Sequence, residues 1–264
     1  MTILKDGSSG PKVKRLQRRL RELNFNPGLI DGDFGPATKS AVLAFQKSEG
    51  LLADGIAGPR TQAALGLVDD DSLPSAIPRV TATVVSRMFP FTLVDNIKTN
   101  LPFVLKGLLE VQLVDKPMVL MALATIRAET ESFKPISEGR SKFNSSPGGR
   151  PFDLYDGRRD LGNQGPNDGE TFRGRGYIQL TGRDNYQKYG KAVGLGNQLI
   201  SKPELANDPT VAGKLLATFL KDKERLIKEA LLIQDLRSAR RLVNGGSHGL
   251  DRFEEAFNLG DSLI

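Results

Sequence analysis

Two glutamates nine residues apart, Glu129 and Glu138, stand in the stretch RAETESFKPISEG, with Glu131 and Pro135 between them. A pair of carboxyls can run general acid/base chemistry: one gives a proton to a leaving group, the other takes a proton from water. Glycosidases that invert configuration keep their two carboxyls roughly 6.5–9.5 Å apart, with room for that water. On one continuous helix, nine residues of rise would separate the groups by ~13 Å. Pro135 would break such a helix in any case. The chain must therefore turn at Lys134–Pro135 to bring Glu138 back across a cleft. The apolar run MVLMALATI predicts a helix over Pro117–Ala128, with Asp115 as its cap. Glu129 then falls at the negative end of a helix dipole among apolar neighbours, where an ionised carboxylate is disfavoured. That suits Glu129 to the acid and Glu138, on the following loop, to the base. Glu131 reads as structural or solvent-facing. On these residues alone, a helix running out into a charged surface loop stays open.

Composition narrows the chemistry. There is no cysteine and a single histidine, His248. Thiol nucleophiles and disulfides are excluded, and a catalytic zinc site, which draws on two or three histidines, is not expected. Catalysis is expected to run on carboxylates, with no metal and no cofactor. Hydrophobic residues make up 39 % and charged residues 26 % of 264, an ordinary globular composition. No segment approaches bilayer length. The opening MTILKDGSSG lacks the apolar core of a signal peptide. The chain is expected to start in the cytoplasm, with no export route of its own visible in the sequence. A net charge of +6 favours polyanions: nucleic acid, anionic lipid or the phosphate-rich polymers of a bacterial envelope.

The elements that must position these groups read as mainly helical. Further helices are expected at Ile97–Leu109 with Asp95 as a cap, Pro209–Leu220, Asp222–Leu232, Asp235–Val243 and Asp251–Leu259. Between Glu138 and Asn185 lies a long stretch rich in Gly, Pro, Asn and Arg, with scattered aromatics; its length points to a functional loop. Within it, FRGRGYIQLTGRDNY lacks the Lys-Ser/Thr of a phosphate loop. Arg173 and Arg175 are expected to pair with acidic residues of the cleft or to touch substrate. His248 reads as structural or solvated.

The first sixty-odd residues follow another pattern. Val13, Leu16, Leu20 and Leu23 recur at helical spacing, as do Ala41, Val42 and Phe45, and a third helix is expected at Thr61–Leu65. Between them stand two similar turns, IDGDFG and ADGIAG, where glycine supplies the positive φ. This predicts a three-helix unit with an internal duplication. Lys12, Lys14, Arg15, Arg18, Arg19 and Arg21 make one helix face basic. VDDDSLPSAIPRV, acidic and proline-bearing, reads as an exposed connector. The expected domains are residues 1–67, a linker at 68–83, and 84–264.

The N-terminal segment resembles the peptidoglycan-binding domains of cell-wall hydrolases. The matching residues include Gly7, Gly10, Val13, Leu16, Gln17, Leu20, Asp31–Gly35, Thr38, Ala41, Val42, Phe45, Gln46, Asp54, Gly55 and Gly58-Pro59. The resemblance implies a ligand groove at Asp31, Gly32, Asp33 and Phe34. RAETESF…ISEG, FRGRGYIQLTGRDNY and RLVNGGSHGLDR, in that order, resemble glycoside hydrolase family 19, the chitinases and related endolysins. The likeness covers roughly residues 86–263. It implies an α-helical lysozyme-like domain in which Glu129 is the acid and Glu138 the base, while Thr181 helps hold the water. Gln179, Asn185, Tyr177 and Asn244 would contact sugar, and Arg252 would support the base. Ala128 stands where many plant members have a histidine, which favours the endolysin branch.

Together these readings predict a monomeric endolysin. It would bind bacterial peptidoglycan, and anionic envelope polymers through its basic face, without specific nucleic-acid binding or a transmembrane segment. It would hydrolyse the β-1,4 bond between N-acetylmuramic acid and N-acetylglucosamine after reaching the wall through a holin or lysis. A chitinase, a lytic transglycosylase and a non-catalytic wall-binding protein stand as alternatives.

Overall fold

The computed structural model describes residues 2–68, 74–244 and 249–264. In chain order the helices are α1 (Pro11–Glu22), α2 (Pro36–Ser48), α3 (Pro59–Ala64), α4 (Ala82–Met88), α5 (Val94–Glu110) and α6 (Lys116–Glu129). After the strand β1 (Ile136–Ser137) come α7 (Asp168–Thr171), the strand β2 (Arg175–Gly176), α8 (Arg183–Ala192), α9 (Gln198–Ser201) and α10 (Pro209–Asp222). The chain ends with α11 (Glu224–Leu232), α12 (Leu236–Asn244) and α13 (Leu250–Leu263). The mainly helical class expected from sequence is what forms. The chain divides into two compact units: Met1–Ser75 with Lys223–Ala239, and Ala76–Asp222 with Arg240–Ile264. By packing, α11 goes with the first unit, where Glu224 pairs with Arg60. The sequence-based division, which gives 84–264 to one domain, lacks that exchange because it follows the chain alone.

In the first unit, each of the three N-terminal helices opens with Gly followed by Pro at its first turn, where the fixed φ of proline suits a helix start. Val13, Leu16, Leu20, Phe34, Val42, Phe45 and Leu65 form the core. The duplication extends to single hydrogen bonds. The Gln17 amide donates to Asp31 Oδ1 (2.9 Å), Asp33 O (3.0 Å) and Thr38 Oγ1 (3.1 Å), and accepts from Gly32 N (2.9 Å). The Gln46 amide donates to Asp54 Oδ1 (2.9 Å), Ile56 O (3.0 Å) and Thr61 Oγ1 (3.1 Å), and accepts from Gly55 N (2.9 Å). Each buried glutamine clamps one Asp-Gly turn onto the next helix.

In the second unit α6 is the central post. Every residue from Met118 to Ala128 is buried, as expected of a helix that is apolar all round. Asp115 caps it as predicted, accepting from Met118 N at 3.3 Å. α13 packs along α6 and α4, and α5 along α10. The α5–α10 crossing is close because glycines face each other's helix. A side chain on Gly107 would strike the Gly213 carbonyl, and one on Gly213 the Phe103 carbonyl. Asp95 is not a cap, since Leu93 takes that position and Asp95 lies in the first turn. Four helices escaped the sequence reading; α7 and α9 are only four residues each. α4 is only 7 residues long, and α8 buries Tyr186, Tyr189 and Gly190 rather than an aliphatic stripe. Replacing Gly107 by Ala forces the α5–α10 crossing apart. We expect G107A to lose about 1–3 kcal/mol of stability, read as a lowered thermal midpoint with the secondary structure retained.

Candidate active site

α6 ends at Glu129, and the chain turns at once. Glu131 (φ 39°) and Phe133 (φ 54°) adopt left-handed backbone, which is uncommon for bulky residues and marks a turn fixed by its surroundings. The Phe133 ring is fully buried. It packs edge-on against Phe89 with centroids 4.9 Å apart and tilts against Tyr177 at 6.3 Å. That anchor sends the chain back as β1, which pairs antiparallel with β2 through Ile136–Gly176 and Ser137–Arg175. One step later Glu138 N donates to Gly174 O at 2.7 Å.

The turn delivers Glu138 to the same cleft as Glu129. A cavity of about 660 Å³ is lined by Glu129, Glu138, Gln179, Thr181, Asn244 and Arg252, with Ala128, Gly139, Ser141, Phe143 and Tyr155. The two carboxyls have unlike settings. The Glu129 side chain is 10 % exposed, and its Oε1 accepts from Arg240 Nη2 at 2.7 Å; Arg240 is wholly buried. With its amide turned, Asn244 donates to the same oxygen at 3.3 Å and accepts from Arg240 at 3.2 Å. Among the described residues Glu138 meets only neutral donors: Asn144 Nδ2 (2.9 Å) and Tyr155 OH (3.0 Å) on Oε1, and Gly174 N (3.2 Å) on Oε2. Burial, followed by the Glu138 charge, pushes the Tyr155 phenol up to about 12, so it stays a neutral donor wherever a carboxylate works as a base. A side chain on Gly174 would press on both cleft residues, because a Cβ there would lie 2.9 Å from Gln179 Oε1 and 3.2 Å from Glu138 Oε2.

The remaining expected site residues divide. Gln179 (φ 51°) lines the cleft, and its amide donates to Ile136 O (2.9 Å) and Gly176 O (3.0 Å), bracing the turn after β2. Thr181 lines the cleft with its hydroxyl on Gln179 O at 2.8 Å. Asn185 does not line it, because one turn into α8 its amide donates to Thr181 O at 2.8 Å and fixes that residue. Tyr177 is a core residue, not a sugar contact: it is fully buried, with its hydroxyl on Asn100 Oδ1 at 3.0 Å. Arg252 lines the cleft but pairs with Glu131 Oε2 at 3.0 Å rather than with Glu138. Arg127 takes the other oxygen of Glu131 at 2.7 Å. Against its burial, Arg127 and then Arg252 hold the Glu131 carboxyl below the ordinary carboxylate range, a structural role. Among the described residues neither Arg173 nor Arg175 pairs with a cleft carboxylate. Arg175 is buried and donates to Thr171 O (2.7 Å) and Tyr186 OH (2.8 Å), while Arg173 donates to Glu170 O (2.9 Å). His248 lies outside the described residues.

Sequence reasoning missed Arg240, Asn144 and Tyr155. The first sits in a run of arginines where nothing singles it out, and the other two lie in the long loop. That loop is ordered by side chains. Asp168 takes a two-point bond from Arg183 (2.9 and 2.6 Å), which holds its carboxyl below the usual range, and Asn163 donates to Tyr155 O at 2.7 Å.

In the first unit the expected groove residues mostly serve the fold. Phe34 is 2 % exposed within the core and unavailable to a ligand. Gly32 N and the Asp31 carboxylate are held in the Gln17 clamp. The Asp33 amide, followed by Gln17, keeps the Asp31 carboxyl below its ordinary value. Asp33 keeps an exposed side chain. The cavity seen in this unit, about 370 Å³, is lined instead by Thr2, Leu4, Lys12, Arg15, Gln62, Leu67 and Val68. Among the described residues there is no cluster of three or more potential metal ligands, and no helix is long and apolar enough to cross a membrane.

Comparison with known proteins agrees with this two-part build. Residues 9–65 match the family described as putative peptidoglycan binding domain. Zinc D-Ala-D-Ala carboxypeptidase of Streptomyces albus G is 51 % identical over 77 residues, 27 % of this chain and 29 % of that protein. The N-acetylmuramoyl-L-alanine amidase CwlM of Mycobacterium tuberculosis is 50 % identical over 52 residues, 20 % of this chain and 13 % of that protein. A glycosyl hydrolase family 19 domain-containing protein of Haemophilus influenzae is 30 % identical over 98 residues, 37 % of this chain and 45 % of that protein. The class is thus a helical, modular chain with a peptidoglycan-binding module at its N-terminus. More particularly, it joins that module to a part similar to glycosyl hydrolase family 19. The chain spans less than half the length of each of these relatives.

The geometry around Glu138 can be tested without knowing the substrate. A methyl group on Gly174 crowds Glu138 and Gln179, so G174A is expected to keep its fold by circular dichroism yet lower the thermal midpoint. In a spectrophotometric titration, the difference between wild type and Y155F is expected to show a phenol ionising near pH 12; a phenol ionising near 10 would mean that Tyr155 is not held against Glu138.

Proposed function

We propose that the protein is a bacteriolytic glycoside hydrolase. It docks on bacterial peptidoglycan through residues 9–65 and cuts the β-1,4 bond between N-acetylmuramic acid and N-acetylglucosamine. What carries this reading is that Glu129 and Glu138, separated by a broken helix, line one cleft together with Gln179, Thr181 and Asn244. Glu129 protonates the glycosidic oxygen as the bond to the anomeric carbon breaks and its electron pair leaves with that oxygen. Glu138 removes a proton from a water whose oxygen bonds to the anomeric carbon from the other face, so the product is inverted. Thr181 helps hold that water, while Gln179 and Asn244 contact sugar. Asn144, Tyr155 and Gly174 orient the base, and Arg240 receives the negative charge left on Glu129. The exposed Lys12, Lys14, Arg15, Arg18 and Arg21 of α1 support attraction to anionic envelope polymers, an effect that salt would screen. The chain works at the cell wall, as a monomer and without a cofactor, after release from the cell that makes it. Docking by the N-terminal module raises the local concentration of catalyst on an insoluble polymer.

Purified peptidoglycan is the deciding substrate. E129Q and E138Q are each expected to cut the release of reducing ends about 10²–10⁴-fold while leaving binding to the wall intact. Mass spectrometry is expected to show N-acetylmuramic acid at the new reducing ends. A 1,6-anhydro product, or full turnover in either variant, would overturn the assignment. R240K, which keeps the charge but not the geometry, is expected to lower kcat with little change in KM.

A further inference from the structure

We infer that Phe143 and Lys142 form a selective platform at the rim of the cleft. The phenyl ring stacks on a sugar, and the adjacent ammonium pairs with a carboxylate carried by the glycan. This deepens the function proposed above and rests on it. It states which polymer the cleft prefers: a glycan with acidic substituents, such as the lactyl and stem-peptide carboxylates of peptidoglycan, over neutral chitin.

Phe143 is 76 % exposed. A single exposed apolar side chain is ordinary by itself, but this one is placed in the cleft that holds both carboxyls. The backbone under it is tied down. Phe143 N donates to Ser141 Oγ at 3.3 Å, and Ser141 N donates to Asn144 Oδ1 at 2.8 Å. The Asn144 amide in turn donates to Gly139 O and to Glu138 Oε1, both at 2.9 Å. One hydrogen-bonded turn therefore connects the backbone of Phe143 to the base. An aromatic face attracts positively polarised hydrogens, and one face of a pyranose offers a row of C–H groups, so the ring supplies affinity for a sugar whatever its substituents. Discrimination has to come from charge.

Lys142 provides that charge. Its Nζ lies over the Phe143 ring, 5.2 Å from the centroid, within the range of a cation–π contact, so a sugar that takes that face displaces the ammonium to the sugar's edge, where its substituents are. It is exposed, and among the described residues it has no carboxylate partner. Arg252, the cation among the residues that line the cleft, is engaged with Glu131. A neutral acetamido-sugar polymer would leave Lys142 unpaired, whereas a glycan bearing carboxylates would not. Pairing at this exposed site is weak, so it tunes preference rather than creating binding.

The chain contains no tryptophan, so F143W places a single indole reporter on the platform. In the F143W/E129Q double variant, adding chitohexaose or soluble glycan strands prepared from peptidoglycan is expected to shift the indole emission. This readout needs no turnover, so it stands apart from any failure of the hydrolase assignment. In active enzyme, F143A is expected to raise KM about tenfold on both substrates with the melting temperature unchanged, and F143W to restore it. K142Q is expected to lower kcat/KM on peptidoglycan strands about threefold more than on chitohexaose, a difference that added salt removes. An emission that no glycan moves, or an unchanged KM in F143A, would overturn the platform. Equal losses on both substrates in K142Q would overturn the selectivity.

Discussion

The site depends on one two-way tie between Glu138 and Gly174. The Glu138 amide donates to the Gly174 carbonyl, and the Gly174 amide donates back to the Glu138 carboxylate. A catalytic carboxylate on a loop would otherwise wander, and misplacement of a reacting group by about 1 Å can cost on the order of 10²-fold in rate. Here the loop is short and braced at both ends. Behind it stands α6, buried on every side and therefore unable to shift without disturbing the core. Ahead of it the two-residue ladder with β2 fixes register. The left-handed backbone at Glu131 and Phe133 is what so sharp a reversal requires. The buried Phe133 ring and the two arginines on Glu131 offset its cost.

What could be read from sequence follows from how local each interaction is. Helices with a clear apolar period and a capping residue, such as Asp115 before α6, are written in neighbouring residues. So is the need for a turn at Pro135, and so are the two Asp-Gly turns of the first unit. The role of Gln17 and Gln46 is not local in this sense. A glutamine on a helix looks like any surface residue until the turn it clamps is in place. Arg240 stands 111 residues from the glutamate it pairs with, in a run of arginines whose spacing alone cannot rank them. Tyr177 misled for the opposite reason. It sits inside a motif rich in cleft residues, but it points into the core, where Asn100 satisfies its hydroxyl. Strand alternation would put Tyr177 and Gln179 on one face, but Gln179 is in left-handed backbone (φ 51°), and this turn after β2 leaves Tyr177 in the core and Gln179 on the cleft.

The two glutamates differ most in what surrounds them, and this bears on their roles. Glu138 is held by an amide, a phenol and a peptide N–H, all neutral. Such donors orient a carboxylate without neutralising it, which preserves its capacity to draw a proton from water. Glu129 has a buried guanidinium on one oxygen and stands at the C-terminal end of α6. In the proposed reaction Glu129 starts with a proton and finishes without one. The Arg240 bond to Oε1 is then an ordinary hydrogen bond at the start and a full ion pair at the end, while Oε2 is left to carry the proton. An interaction that strengthens along the reaction coordinate stabilises the transition state more than the bound substrate. It needs no reorganisation, because Arg240 is already immobile in the core. On this argument the arginine that sequence reasoning overlooked is what makes the helix-end glutamate an acid that can afford to lose its proton.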